Sequence, residues 1–319
     1  MSPKVLVVDD DAGVRKSLAK LLRAEGYRVT AEADGMSALR TVKRLDPDVI
    51  LLDVRMPELD GVEVCRRLKA KPETRLTPVV LMTGLSVADD RARGRAAGAD
   101  DFLPKPPERI ELLARVESLA RIKSYADQLA HAEAALLTLA RSIEAKDPYT
   151  EGHCERLSSL ATELGRRLGL GEEEILALER AGVLHDIGKV AVPDEILLKH
   201  GPLTPEEWEV MRRHPITGEY LCSRVRSLRL VLPIIRHHHE KYDGSGYPDG
   251  LAADDIPLTA RVLQVVDMFD ALTRQRPYRE ALSSDQALET MRDEVDGGRL
   301  DPDVFAEFSP LVIKGEDGA

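Results

Sequence analysis

The chain has 319 residues, enough for two domains, and its 43% hydrophobic content supports ordinary cores that must be largely aliphatic because aromatics are only 4%. A net charge of -11 argues against a nonspecific duplex-binding surface and against direct DNA binding, which need clustered Lys and Arg. No apolar run reaches the roughly 20 residues of a membrane span, the start MSPKVLVVDD reads as a strand and not as a signal peptide, and three scattered cysteines (Cys65, Cys154, Cys222) imply no disulfide framework. The expectation is a cytoplasmic protein without membrane insertion.

Through residue 122, strand-like apolar runs alternate with helical patterns. The strands read as Val5 to Val8, Tyr27 to Ala33, Val49 to Leu52, Pro78 to Met82 and Asp101 to Leu103, with amphipathic stretches such as Ala12 to Ala24 and Gly61 to Ala70 between them. This alternation predicts a doubly wound α/β domain, five parallel strands covered on both faces. In such sheets the carboxyl ends of the strands carry the site. Asp9 and Asp10 follow the first strand, Asp53 the third, Thr83 the fourth, and Lys105 the fifth. Three carboxylates with a lysine and a hydroxyl suit a hard cation such as Mg²⁺, and one carboxylate can then attack phosphorus. A turn or helix-cap role would account for Asp10 alone, but not for the whole set with DVRMP at 53–57 and LPKP at 103–106. On these residues the region resembles the receiver domain of two-component response regulators. The resemblance implies a flavodoxin-like fold, Asp53 as phospho-acceptor, Asp9 and Asp10 as Mg²⁺ ligands, Thr83 and Lys105 on the phosphoryl group, Phe102 at the switch-aromatic position, and a cognate sensor histidine kinase as partner.

From Pro107 to Lys146 there is neither glycine nor further proline. Ile122, Tyr125, Leu129, Ala132, Leu136, Leu139 and Ile143 step by threes and fours, an a/d-type seam. A helix lying along its own domain would show the same pattern. We read residues 123–147 as a helical linker that pairs with a second copy as a coiled coil, ended by Asp147-Pro148.

Residues 148–319 show helical periodicity without strand alternation. Thr204-Pro205-Glu206-Glu207 is a helix start with a capping box. Seven of the eight histidines fall between His153 and His239. His153, His185-Asp186 with Lys189 one turn on, His214 at a helix end, and His238-His239 stand out, and Asp267 is a charge inside an apolar run, expensive to bury unless paired or bound to a cation. Taken singly, His153 or His214 would more often be a cap or a satisfied core residue; His131, His200 and His237 are read that way. Imidazoles with carboxylates and no thiolates suit Fe, Mn, Ni or Zn in an open coordination sphere. Their number suggests two ions bridged by an Asp, a pair that can activate water and neutralise phosphoryl charge.

This region resembles the HD-GYP branch of the HD phosphohydrolases, on His185-Asp186-Ile187-Gly188-Lys189, His238-His239-Glu240 and Asp243-Gly244-Ser245-Gly246-Tyr247-Pro248. The resemblance implies an all-α fold, hydrolysis of cyclic di-GMP to pGpG, with the onward step to GMP left open by Tyr149, metal ligation by His153, His185, Asp186, His214, His238, His239 and Asp267, and Lys189 on the substrate phosphate. Gly246, Tyr247, Pro248, Arg276 and Arg279 would border the nucleotide as a substrate lip. Members with a third metal carry a glutamate where this chain has Tyr149, so two ions are expected, with Glu151 or Glu155 as substitutes. A homodimer, and docking to a diguanylate cyclase or other signalling proteins, are further expectations. The rival readings are a catalytically weak adaptor that binds a nucleotide or protein, and an enzyme for another cyclic dinucleotide.

Overall fold

The structure, a computed structural model, describes residues 2–84, 87–146, 152–199, 201–275 and 280–316. The chain divides into two compact units, Met1–Ala130 and His131–Ala319.

In the first unit the elements run β1 (Lys4–Val8), α1 (Ala12–Ala24), β2 (Arg28–Glu32), α2 (Gly35–Leu45), β3 (Val49–Asp53), α3 (Gly61–Lys69), β4 (Val79–Thr83), α4 (Val87–Ala96), β5 (Asp101–Pro104) and the start of α5 (Arg109–Glu144). The five strands pair in parallel in the order β2-β1-β3-β4-β5. Period-two alternation splits the strand side chains between two cores. Val5, Val7, Val49, Leu51, Val80 and Met82 pack with Leu18 and Leu22 of α1 and Leu112 and Val116 of α5. Leu6, Val8, Ile50, Leu52, Val79 and Leu81 pack with α2 and α3 through Ala38, Val42, Val62 and Leu68. Both faces are thereby covered, which is why β1, β3 and β4 read as unbroken apolar runs. The register aligns Val8 with Leu52, so Asp9 and Asp53 emerge side by side at the same edge.

The helix caps fall one residue from the capping role considered for Asp10. Asp11 caps α1, its carboxylate accepting from the backbone N–H groups of Gly13 at 2.7 Å and Val14 at 3.0 Å. Asp10 is left exposed and free of that duty.

The second unit continues α5 and adds α6 (His153–Arg167), α7 (Glu172–Leu184), α8 (Asp194–Leu197), α9 (Pro205–Met211), α10 (His214–Cys222), α11 (Leu232–His237), α12 (Leu258–Thr273), α13 (Ser284–Asp296) and α14 (Pro302–Glu316). Among the described residues it has no strand, only an isolated bridge between Asp243 and Ala252. Helix α12 is buried almost all round, through Ala260, Val262, Leu263, Val265, Val266, Phe269 and Leu272, and forms the middle of the core. The start of α9 is as expected: Glu207 donates its backbone N–H to Thr204 Oγ1 at 3.3 Å, and its carboxylate accepts the Thr204 N–H at 2.7 Å.

The coil seam is divided. Ile143 is buried and Leu136 packs against the core of the second unit, so this end of α5 lies along its own domain. Ile122, Tyr125 and Leu129 are exposed by 58%, 58% and 51%, and Leu139 by 37%. The helix ends at Glu144, short of Asp147-Pro148, which lies outside the described residues. No described helix is long and apolar enough to cross a membrane.

Candidate metal centre and receiver site

At the carboxyl edge of the sheet, Lys105 Nζ lies 2.6 Å from Asp9 Oδ2 and 2.6 Å from Asp53 Oδ2. Asp9, Asp10 and Asp53 each offer an oxygen within 4.8 Å of the others. Asp9, Asp53 and Thr83 are buried. The Lys105 backbone N–H bonds the Thr83 carbonyl at 2.8 Å, holding the lysine and the threonine at one corner. Burial pushes the Asp53 carboxyl up, against the pull of the Lys105 ammonium. Burial pulls Lys105 down, but its bonds to Asp53 and Asp9 outweigh that and raise it. The five residues singled out from the sequence thus share one pocket of oxygen ligands and one cation, a donor set for a hard cation. Phe102 is half-buried on β5, beside Gly94 of α4.

In the second unit seven side chains from five regions converge. His185 closes α7 and Asp186 follows it into the 3-10 turn Ile187–Ala191. A Cβ at Gly188 would lie 1.9 Å from the His214 carbonyl oxygen, so only glycine lets this turn press against the start of α10. That approach sets Asp186 Oδ1 3.1 Å from His214 Nε2, while Asp186 Oδ2 lies 3.3 Å from His185 Nε2. His214 therefore opens α10; it does not close the preceding helix, because Pro215 suits a first turn and not a last one. His238 and His239 follow α11, with His238 Nε2 3.5 Å from His214 Nε2 and 3.9 Å from Asp186 Oδ1. His153 at the head of α6 points Nε2 at Asp267 of α12, 3.6 Å away.

These ligand atoms form two groups, His153, His185 and Asp267 in one and Asp186, His214, His238 and His239 in the other, each within 4.8 Å. Asp186 touches both groups through its two oxygens. The buried His185 Nε2 and Asp186 Oδ1 have no hydrogen bond of good geometry. Buried lone pairs that converge without proton donors are costly unless a cation fills the space between them. Burial and the neighbouring imidazoles hold His238 and His239 well below the usual histidine range, in the neutral form that binds metals. Burial opposes the charge on Asp186, but Lys189 beside it keeps its carboxyl well below the usual range. Lys189 Nζ is 2.5 Å from Asp186 Oδ2. The residues fit the binding of metal ions.

The loop after the histidines is less free than its glycines suggest. The Glu240 side chain is fully buried and accepts three backbone N–H groups, from Asp249 at 2.7 Å and from Gly250 and Leu251 at 3.1 Å. Arg236 grips Asp249 at 2.7 and 2.8 Å and Glu219 at 2.5 Å. Gly246 passes so close that a Cβ there would meet Lys241 N at 2.2 Å. Tyr247 consequently lies on the ligand ring of His239, with centroids 4.9 Å apart, and Arg212 sits 5.5 Å over the Tyr247 ring. Tyr247 covers the His239 ring, and Pro248 continues the loop beside it. His237, the spare histidine, bonds Asp249 at 3.0 Å.

Arg276 and Arg279 lie outside the described residues, as do Tyr149, Glu151 and His200. Glu155 is described but turns to Arg141, 3.3 Å away. Sequence reasoning passed over Asp270, Arg156 and Glu144, and gave Glu240 no part beyond its place in the motif. The first had a signal, since Asp267 and Asp270 are one helical turn apart. Asp270 is 5% exposed. Burial opposes its charge, yet His153 and Arg156 lower its carboxyl to about 2.

Family models match both units: a response regulator receiver domain over residues 5–117 and an HD domain over residues 137–304, just over half of the chain. The chain is 39% identical to the cyclic di-GMP phosphodiesterase response regulator RpfG of Xanthomonas campestris pv. campestris, over 89% of this chain and 81% of that protein. The chain belongs to the response regulators that join a receiver domain to an HD domain. It is also 33% identical to a cyclic di-GMP phosphodiesterase of Thermotoga maritima, over 96% of this chain and 90% of that one. Over 57% of this chain and 40% of that protein it is 36% identical to 3'3'-cGAMP-specific phosphodiesterase 3 of Vibrio cholerae.

Proposed function

We propose that this receiver–HD protein is a metal-dependent phosphodiesterase that opens cyclic di-GMP to pGpG, under control of phosphorylation at Asp53. The observation that carries the reading is the pair of ligand groups joined through Asp186. Two divalent transition ions, Fe or Mn before Ni or Zn, would be held by His153, His185 and Asp267 and by Asp186, His214, His238 and His239, and would supply Lewis acidity and an activated water. Lys189 places its ammonium beside Asp186 and can meet a nonbridging phosphate oxygen. Tyr247 covers His239, keeps bulk water from that side, and with Gly246 and Pro248 offers a wall to the nucleotide. Arg276 and Arg279 are proposed nucleotide contacts by family resemblance. Hydrolysis past pGpG to GMP is not needed for this reading.

In the receiver, Asp9 and Asp10 would hold Mg²⁺ while Asp53 takes a phosphoryl group from a sensor histidine kinase, with Lys105 and Thr83 on the phosphoryl oxygens. In this proposal α5, which runs from the first unit into the second, carries control from this site to the metals. Helix α5 begins five residues after Pro104 closes β5, and its last residue, Glu144, accepts the backbone N–H of Cys154 at 3.0 Å. Cys154 is next to the ligand His153, so a shift of α5 bears on that ligand. The exposed Ile122, Tyr125, Leu129 and Leu139 support pairing of α5 with a second copy in a homodimer. Light scattering tests this: Leu129→Glu should shift a dimer toward monomer, and an unchanged mass would remove the seam from the interface.

The test of the whole is product analysis. Protein loaded with Mn²⁺ or Fe²⁺ and given cyclic di-GMP should yield the linear dinucleotide. Binding without product over long incubation would favour an adaptor, and preferential turnover of 3'3'-cGAMP in the same assay would move the substrate.

A further inference from the structure

Asp270 sits one turn beyond Asp267 on α12, so both carboxylates leave the same face of that helix. Its Oδ2 is 2.8 Å from Nδ1 of His153. Its oxygens also take Arg156, with Nε at 2.6 Å on Oδ1 and Nη2 at 3.1 Å on Oδ2. His153 and Arg156 are three residues apart on α6. A carboxylate only accepts, so the proton of this contact resides on Nδ1 and the Nε2 lone pair is left facing Asp267.

Three other histidines of the cluster are fixed differently. His185, His214 and His238 each pair Nδ1 with a backbone carbonyl three residues earlier, those of Gly182, Met211 and Ile235, at 3.2, 2.8 and 2.7 Å. The preceding turn sets their tautomer. His153 is the first residue of α6, so among the described residues no earlier turn of that helix does this. An acceptor must come from elsewhere, and α12 provides it in Asp270.

We propose that Asp270 is the positioning residue of the metal position formed by His153, His185 and Asp267: it selects the His153 tautomer and aims the ring, and its loss empties that position while leaving the other filled. Arg156 is the companion that satisfies the remaining carboxylate lone pairs. The inference rests on the two-metal reading above.

The experiment measures bound metal per chain, by mass spectrometry after Mn²⁺ loading and desalting, with Mn²⁺ titration for affinity and circular dichroism for folding. Wild-type protein should hold two ions. Asp270→Ala should hold one, with the second position weakened by about 10- to 100-fold. Asp270→Asn, whose amide oxygen still accepts from Nδ1, should regain the second ion. Arg156→Gln should keep both. So that both charges of the contact are removed together, the neutral pair Asp270→Ala with Arg156→Leu is measured as well and should also hold one ion. Two ions at wild-type affinity in folded Asp270→Ala or in the neutral pair would overturn the proposal. So would loss of an ion in Arg156→Gln equal to that in Asp270→Ala, the mark of a merely structural clamp. A wild-type protein that takes up a single ion would instead overturn the two-metal reading.

Discussion

The receiver site and the HD-domain site both gather carboxylates, yet their donor sets differ. The receiver site takes Asp9, Asp10 and Asp53 from neighbouring strand ends and sets one lysine between two of them, 2.6 Å from each. All its ligands are oxygens, which suits a small hard ion that keeps some of its water. The other site spreads five imidazoles and two carboxylates over α6, α7, α10, α11 and α12, and leaves buried lone pairs facing each other. A nitrogen-rich set suits transition ions that stay bound. The difference teaches that an Asp takes its chemistry from its neighbours. Beside a lysine and a hydroxyl at a strand end, Asp53 is a candidate acceptor for phosphorus; between histidines, Asp186 is a candidate bridge.

The largest expected effect separates the two sites outright. His185→Ala with Asp186→Ala should cut cyclic di-GMP hydrolysis by at least about 10³-fold while leaving receiver phosphorylation by a small-molecule phosphodonor unchanged. Full activity in that double variant would remove the cluster from the chemistry. The mirror experiment is Asp53→Asn, which should abolish phosphoryl uptake in a gel-shift assay yet leave bound metal unaltered. A fall in metal content would mean that the sites are not separable in this way. Glu240→Gln probes the loop beside the metals. It replaces a buried carboxylate that holds three backbone donors, and should cost ~2–3 kcal/mol in denaturant unfolding of the second unit; a cost near zero would mean the loop is held by other contacts. Tyr247→Ala removes the ring from His239 and should raise KM for cyclic di-GMP by about 3- to 10-fold, since an aromatic stack is worth about 0.5–1.5 kcal/mol.

The smallest effect is in acid. Bonds from Arg236 lower the Asp249 carboxyl from 3.8 to about 2. A depressed carboxyl contributes stability that is present above its unfolded value and is lost as pH falls through the folded one. The pair is partly exposed, so the contribution is small. The stability gap between wild type and Arg236→Leu should hold down to about pH 5 and narrow toward pH 2; a gap constant over that range would exclude this pair as its source.

Much of this was legible along the chain. Strand runs and their terminal residues located the receiver pocket because in a parallel sheet all strand ends share one edge, so five positions far apart in sequence are neighbours by topology alone. The HD cluster was legible as a set of residue types. Its partition was not, because which histidine faces which carboxylate depends on helix packing; the approach of Gly188 to the start of α10 decides that Asp186 meets His214. The seam on α5 was misleading at one end, since Ile143 serves the core of its own unit. A periodicity marks an apolar face without naming what covers it.

The sequence by itself determined the two fold classes, the receiver pocket and the identity of the seven clustered side chains, because these follow from period, strand ends and residue chemistry. Only the tertiary structure decided that Asp186 touches both ligand groups, that Glu240 ties down the loop and Tyr247 covers His239, and that Asp270 serves His153. Each of these is a contact between elements distant in the chain, fixed by the packing of α12 among its neighbours and by backbone approaches that only glycine permits.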